Sequence, residues 1–517
     1  MASTFPWWLA PCLMALLFVL CASSTPTNET AKLTQGRLVV HGNAAIASTD
    51  ENFICATIDW WPSEKCDYGS CSWGEASILN LQLSNPILLN AVKAFSPLKL
   101  RLGGSLDDMV IYQENPSQPC GPFVVNTSAL FGFSNGCLSL ARWDELNKFF
   151  TESGAAVVFG LNALNGRVTL RWFLRGPWNY HNAESLIRYT ANKGYNNIYG
   201  WELGNELSGK GYRARVHASQ YAKDVITLKS LVKRIYEAQQ KKPLVIAPGG
   251  NYEEKWFREF IDKTKPSSSL DVITHHIYSL GAGNDEHLVA KILDPSYLDV
   301  VGSLFSNMNR LIKSTNTSAT AWIGEAGGAY NSGHNLVTNS FVSSFWYLDQ
   351  LALSAKYNTK SFCRQSLVGG NYGLLDTTTF RPNPDYYSAL LWHRLMGPKV
   401  LSTNFQGSKK IRAYAHCAKD FHGITLLLLN LNQMTTTQVQ VSSKGANYQR
   451  EEYHLTAEYG NLHTQTVLLN GNALLLDSLN GIPMMEPTKV DGSQPIEVAP
   501  LSIVFVRMPD FPARACL

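Results

Sequence analysis

The chain has 517 residues, of which 45% are hydrophobic, 16% charged and 11% aromatic. That length is long for one core and suits a large barrel with a smaller companion domain. A formal charge of +4 is small for this size and leaves no electrostatic footprint for nucleic acid or an anionic membrane surface.

The first 23 residues read as a secretory signal peptide. Trp7 to Leu20 is a mostly apolar run, and Ala22, Ser23 and Ser24 after it offer a cleavage site. The run is shorter than the roughly 18–20 apolar residues that span a bilayer. It departs from the usual pattern in having no Lys or Arg before it, so a retained anchor is the alternative. No later segment reads as transmembrane, and peripheral membrane association is compatible with the sequence. Beyond Cys12 and Cys21, eight cysteines remain, and an oxidising compartment would permit disulfides among them. Cys120 and Cys137 bracket a Gly/Ser/Asn-rich loop and suit a local bridge, whereas Cys55 and Cys363 sit in apolar runs and read as buried thiols. The sequons at Asn28, Asn126 and Asn316 lie in polar stretches suited to glycans. Secretion to the extracellular matrix or cell wall, or delivery to a lysosome or vacuole, is the expected destination.

After a polar linker, residues 37–46 contain a short strand-like run able to join a sheet elsewhere, so 24–50 reads as linker plus joining strand. Apolar, β-branched runs then recur at 53–60, 97–104, 155–164, 198–206, 243–249, 271–279, 321–329 and 360–368. Between them lie helical periodicities near 86–95, 143–153, 183–193, 214–240, 253–264, 286–313, 337–357 and 385–396. Eight alternations predict an α/β fold of (β/α)₈ type, a TIM barrel over 51–396. An open doubly wound sheet is the competitor, but the Gly-rich phosphate loop expected after its first strand is missing. From 397 to 517 short alternating runs between Asn, Gly, Pro and Lys clusters predict an antiparallel β-sandwich. Its run from Ile424 to Leu431 is too apolar for an exposed strand. The basic stretch Ser408 to Ala413 fits a short heparin-binding spacing, although a solvated edge strand is the plainer reading.

In a barrel, chemistry sits at the C-terminal ends of the strands. Asp59 ends the first, Arg101 with Gly103, Gly104 and Ser105 the second, and Asn162 the third. Asn205 and Glu206 end the fourth, His275, His276 and Tyr278 the sixth, and Glu325 the seventh; Gly369 to Tyr372 follow the eighth. Taken alone, Asn205 and Glu206 could also cap the next helix. Two carboxyl groups across a barrel mouth suit glycoside hydrolysis, one protonating the leaving oxygen and the other attacking the anomeric carbon. Such chemistry calls for no cofactor. A metal site at His275 and His276 is disfavoured, because adjacent strand residues point opposite ways.

The ordered words ATIDW (56–60), LRLGGS (100–105), WELGNEL (201–207), HHIY (275–278), WIGEAGGAY (322–330) and GGNYGLLD (369–376) carry a specific likeness. With them the chain resembles the heparanase family, glycoside hydrolase family 79, and most closely its plant heparanase-like β-glucuronidases. The resemblance implies a retaining two-glutamate mechanism, with Glu206 as proton donor and later general base and Glu325 as nucleophile. It implies that Asn205 holds the sugar's 2-hydroxyl and that Asp59 and Ser105 line the sugar pocket. It assigns the uronate carboxylate to Tyr330, Tyr372 and backbone N–H groups around Asn331, Ser332 and Gly370, although both tyrosines could simply pack the core. It also pairs Cys417 with Cys516.

Departures from the animal heparanases bear on substrate. Asn331-Ser332-Gly333 stands where those enzymes have consecutive glycines, Ile277 replaces an aromatic residue, and Ala282 replaces an arginine expected of a sulfated-chain subsite. The compact Cys120–Cys137 loop occupies the place of their excised linker, which predicts an unprocessed single chain. The expected partners are therefore glucuronide-bearing glycans or proteoglycans, or small-molecule glucuronides. An endo-acting heparanase is the second reading, and a non-catalytic glycan-binding pseudoenzyme the third.

Overall fold

All eight apolar runs form strands in the computed structural model, which describes residues 32–170, 173–209, 213–442 and 449–517. In chain order they are Ile54–Ile58, Lys99–Leu102, Ala156–Leu161, Ile198–Leu203, Leu244–Asn251, Val272–Ile277, Thr320–Ala326 and Phe362–Arg364. Each pairs in parallel with the next, and the eighth returns to the first with Cys363 opposite Cys55, closing the barrel. Both strand faces are covered, one by the barrel interior and one by helices, which is why these segments read as continuous apolar runs. The signal-peptide reading and the sequon at Asn28 fall outside the described residues; Asn126 and Asn316 are both exposed.

The helices that follow the strands are Pro86–Lys93, Leu140–Ser153, His181–Asn192, Ala218–Ile235, Glu254–Thr264, Gly302–Thr315, Phe341–Lys356 and Pro384–Leu395. The first shows the local logic: the Asn85 side chain accepts from the Ile87 and Leu88 amides, and Pro86 supplies a first-turn φ without a donor to satisfy. The single helix expected over 286–313 is instead three, Leu288–Ile292, Pro295–Asp299 and Gly302–Thr315. Pro295 cannot sit in a helix interior, so Asp294 caps a new start there by accepting from the Ser296 amide. Among the described residues no helix is long and apolar enough to cross a membrane.

The C-terminal strands form a folded-over sheet whose central members are Met396–Gln406, Ile411–Ala418, Ile424–Asn430 and Ile503–Met508. The N-terminal strand is longer and begins earlier than expected, at Lys32–His41. It runs antiparallel to Met396–Gln406 but parallel to Thr435–Ser442, so the sandwich is not antiparallel throughout. The apolar run from Ile424 is buried on both faces. Leu426 and Leu428 pack inside the sandwich with Leu38, Val439 and Val504, whereas Leu427 and Leu429 join the barrel's core with Phe505. Each such leucine contributes about 1.5–3 kcal/mol of burial.

Two sequence readings need correction. Cys55 and Cys363 are not free thiols but a disulfide across the barrel seam, alongside Cys66–Cys71, Cys120–Cys137 and Cys417–Cys516. Nor is the basic stretch a solvated edge: Ile411–Ala418 lies between two other strands. Lys410 Nζ donates to the Leu293 carbonyl, and Arg412 pairs with Asp349 and Asp299 of the barrel, at 2.8 and 2.7 Å. Only long-range folding brings those partners to the stretch.

Candidate active site

The fourth strand ends at Leu203, and Gly204 turns the chain with φ +65°. A Cβ there would stand 2.7 Å from the Ala163 methyl, so the turn requires glycine. Asn205 follows, its amide donating to Asp108 Oδ2 at 3.0 Å. Glu206 then takes φ +55°, an unfavourable conformation for a residue with a Cβ, fixed by its amide donating to the Gly249 carbonyl at 2.6 Å. The strand end thus delivers Glu206 to the cavity by a strained backbone rather than by a capped helix.

Glu325 arrives from the seventh strand, with only 6% of its surface exposed. Arg101 Nη1 donates to its Oε2 at 2.8 Å, and the Tyr278 hydroxyl donates to Oε1. Burial alone would raise this carboxyl, but facing His276, Arg101 and the two hydrogen bonds outweigh it and hold Glu325 below the usual range. The group is therefore an oriented carboxylate.

Arg101 extends further than the sequence suggested. Its Nε donates to Glu202 Oε2 at 2.6 Å and its Nη2 to Asn205 Oδ1 at 2.8 Å. One buried guanidinium thus ties the second, fourth and seventh strands together. It also fixes Asn205 with its carbonyl oxygen engaged, leaving the amide N–H₂ as the donor for a ligand. The signal for Arg101 was an arginine inside an apolar strand, where a buried charge requires partners.

The two adjacent histidines diverge. His275 lies among core side chains near Phe305, and burial pushes its imidazole down to about 3. His276 turns instead to the glutamates, its Nδ1 at 2.9 Å from Glu206 Oε1. Sequence reasoning did not assign it to Glu206. An imidazole nitrogen of His276 and one carboxylate oxygen each of Glu206 and Glu325 lie within 4.8 Å of one another. Those donors could hold a divalent cation, but it would compete with Arg101 for the charge of Glu325.

Asp59 ends the first strand, buried, accepting from the Trp60 amide at 2.6 Å and from Gln365 Nε2 at 2.7 Å. Burial, reinforced by the charge of Glu325, pushes its carboxyl up to about 7. Gly104 makes room for it, since a Cβ there would fall 2.3 Å from Asp59 Oδ1. Around these groups lies a cavity of about 510 Å³, to which Ser105, Asn205, Tyr330, Ser332 and Tyr372 also contribute wall.

One of the predicted uronate contacts, the Gly370 amide, is already engaged. The Gly370 amide donates to the Ser72 carbonyl at 3.1 Å, and Gly370 lies behind the Tyr372 ring rather than on the cavity wall. The Ser332 hydroxyl accepts from Trp73 Nε1 at 2.9 Å and donates to Asp67 Oδ2. Tyr372 is buried, edge-on to Trp73, whereas Tyr330 is 45% exposed at the rim. The loop after the first strand, carrying Trp61, Lys65, Asp67 and Trp73, completes the wall. It was absent from the sequence-based set because none of these residues sits at a strand end.

Residues 35–352 match the model of the N-terminal domain of glycosyl hydrolase family 79. Heparanase-like protein 3 of Arabidopsis thaliana is 54% identical over 526 residues, covering 96% of this chain and 97% of that protein. Baicalin-beta-D-glucuronidase of Scutellaria baicalensis is 48% identical over 479 residues, covering 90% of each. A 4-O-alpha-L-rhamnosyl-beta-D-glucuronidase from Fusarium oxysporum shares the fold, with TM-score 0.67 at 15% identity, over 91% of this chain and all of that one. On this match and these identities, the chain belongs to glycosyl hydrolase family 79.

Proposed function

We propose that the protein is a retaining β-glucuronidase acting on terminal glucuronic acid of a glycan or a small-molecule glucuronide. The observation that carries this reading is the spacing of Glu206 and Glu325, which have carboxylate oxygens within 4.8 Å of each other. Retaining enzymes hold their carboxyl groups about 5–5.5 Å apart, whereas inverting ones leave room for water. In the first step Glu206 gives its proton to the glycosidic oxygen while Glu325 attacks the anomeric carbon, so the aglycone leaves as an alcohol. In the second, Glu206 takes a proton from water, whose oxygen displaces Glu325 and releases the sugar. Arg101 and Tyr278 keep Glu325 ionised and aimed. His276 orients Glu206, and Asn205 donates to the 2-hydroxyl as charge develops beside it.

The names of the relatives favour a glucuronide. Ala282, in place of a cation, weighs against a sulfated heparan substrate. The ionised Glu325 with its proton-donor partner weighs against a pseudoenzyme. Exposed Asn126 and Asn316, together with four disulfides, suit a glycoprotein of the secretory route. The deciding assay compares the purified protein on aryl β-glucuronide, aryl β-glucoside and heparan sulfate. Glucuronide turnover well above glucoside turnover, with the anomeric configuration of the product retained by NMR, is the expected result. Cleavage of heparan sulfate alone would replace this reading with the endo-acting one.

A further inference from the structure

The loop after the first strand is a built hairpin. Asp67 and Ser70 exchange both backbone hydrogen bonds at 2.9 Å across Tyr68 and Gly69, whose φ values of +52° and +82° make a tight two-residue turn. The Cys66–Cys71 disulfide closes it one residue from that pair on each side. The hairpin is clamped across the cavity to the loop after the seventh strand: Ser332 donates to Asp67, and Asn331 Nδ2 donates to the Tyr68 hydroxyl at 3.0 Å. Lys65 stands at its base, Nζ donating to Asp67 Oδ1 at 2.6 Å and lying 4.9 Å from the Trp61 ring centre.

The cavity is lined by four carboxyl groups, Asp59, Asp67, Glu206 and Glu325. Among the described residues, Lys65 is the one lysine or arginine on its wall. Arg101 lies beneath and is engaged by Glu202, Glu325 and Asn205. An anionic sugar entering such a cavity meets repulsion that a neutral sugar does not. Both oxygens of Asp67 accept hydrogen bonds, from Lys65 and Ser332, so its anion is already engaged. An ammonium has three N–H groups, and Asp67 engages one.

Resting on the glucuronidase reading above, we propose that Lys65, held by the disulfide-closed hairpin, is the specificity-determining residue for the substrate carboxylate. Lys65 Nζ bonds the C6 carboxylate of a β-linked uronic acid beside Ser332, and Asp67 positions it. Discrimination between glucuronide and glucoside then resides in the first loop, and Tyr330 and Tyr372 shape the pocket without supplying charge.

Binding of phenyl 1-thio-β-D-glucuronide and phenyl 1-thio-β-D-glucoside, neither of which turns over, tests this on wild type, Lys65→Met and Lys65→Arg. We expect Lys65→Met to weaken the thioglucuronide by about tenfold or more, the scale of a charge-assisted hydrogen bond, with the thioglucoside unchanged. Lys65→Arg should restore most of the preference, and rising salt should erode it in wild type but not in Lys65→Met. A wild type that prefers the glucuronide while Lys65→Met keeps the same preference would overturn this inference alone. Parallel weakening of both ligands in Lys65→Met would reduce Lys65 to a structural role. A wild type with no preference would remove the glucuronidase reading together with this one.

Discussion

At the scale of single residues, the site separates two carboxyl groups by what touches them. Glu325 is fixed by Arg101 and Tyr278, whereas among the described residues the Glu206 carboxylate shares a side-chain hydrogen bond with His276 alone. Glu325→Ala should therefore abolish turnover on every substrate. Glu206→Ala should lose roughly 10²–10⁴-fold on alkyl glucuronides yet retain activity on 2,4-dinitrophenyl glucuronide, whose leaving group needs no proton. Azide should rescue the second step and trap a β-glucuronosyl azide; equal loss on both substrates would undo the division of roles. Asp59 gives a pH signature. Its carboxyl stands at about 7 in the folded protein against 3.8 in the open chain. Below 3.8 both states are protonated and the residue is neutral for stability. Between 3.8 and about 7 only the unfolded state ionises, so stability falls as pH rises, and the loss is complete above 7. Asp59→Asn should remove that slope, raising Tm relative to wild type at pH 7.5 more than at pH 4.

At the scale of elements, all eight strands were legible, because burial on two faces demands continuous apolar runs. Adjacency was less so. Cys55 and Cys363 are separated by 308 residues and become neighbours only because the eighth strand returns to the first. Nothing local distinguishes that pair from two buried thiols. Arg101 was visible in its strand, but its three partners belong to other strands, so its role as the tie between Glu202, Asn205 and Glu325 was not. The disulfides divide by the loops they close. Cys55–Cys363 constrains most of the barrel in the unfolded chain, and replacing both residues by Ala should lower stability by about 3–5 kcal/mol. Cys66–Cys71 joins residues only five apart in sequence. Its double Ser variant should melt close to wild type while losing uronate preference, so melting and ligand binding separate the two bridges.

At the scale of the whole molecule, the β-domain is bolted to the barrel by a cation set that resembles a ligand-binding motif in sequence. Arg412 Nε meets Asp349 Oδ1 at 2.8 Å, and the Tyr414 hydroxyl donates to the same oxygen. Asp349 lies on the helix Phe341–Lys356 with its side chain wholly buried. Burial raises its carboxyl, and Arg412 is the main opposing influence. Removing one partner of a buried ion pair strands the other charge, so Arg412→Met should destabilise the protein by about 3–5 kcal/mol at pH 7.5. The sign of its pH dependence follows. Without Arg412 the Asp349 carboxyl rises further, so at acidic pH it enters the fold as a neutral acid and the penalty shrinks. Denaturant melts should accordingly show a smaller difference between Arg412→Met and wild type at pH 5 than at pH 7.5. Exposed Lys409 is the control, and Lys409→Ala should change stability by no more than about 0.5 kcal/mol. If Arg412→Met instead melted like wild type at both pH values while losing retention on immobilised heparin, the stretch would be a polyanion site and not the fastening of two domains.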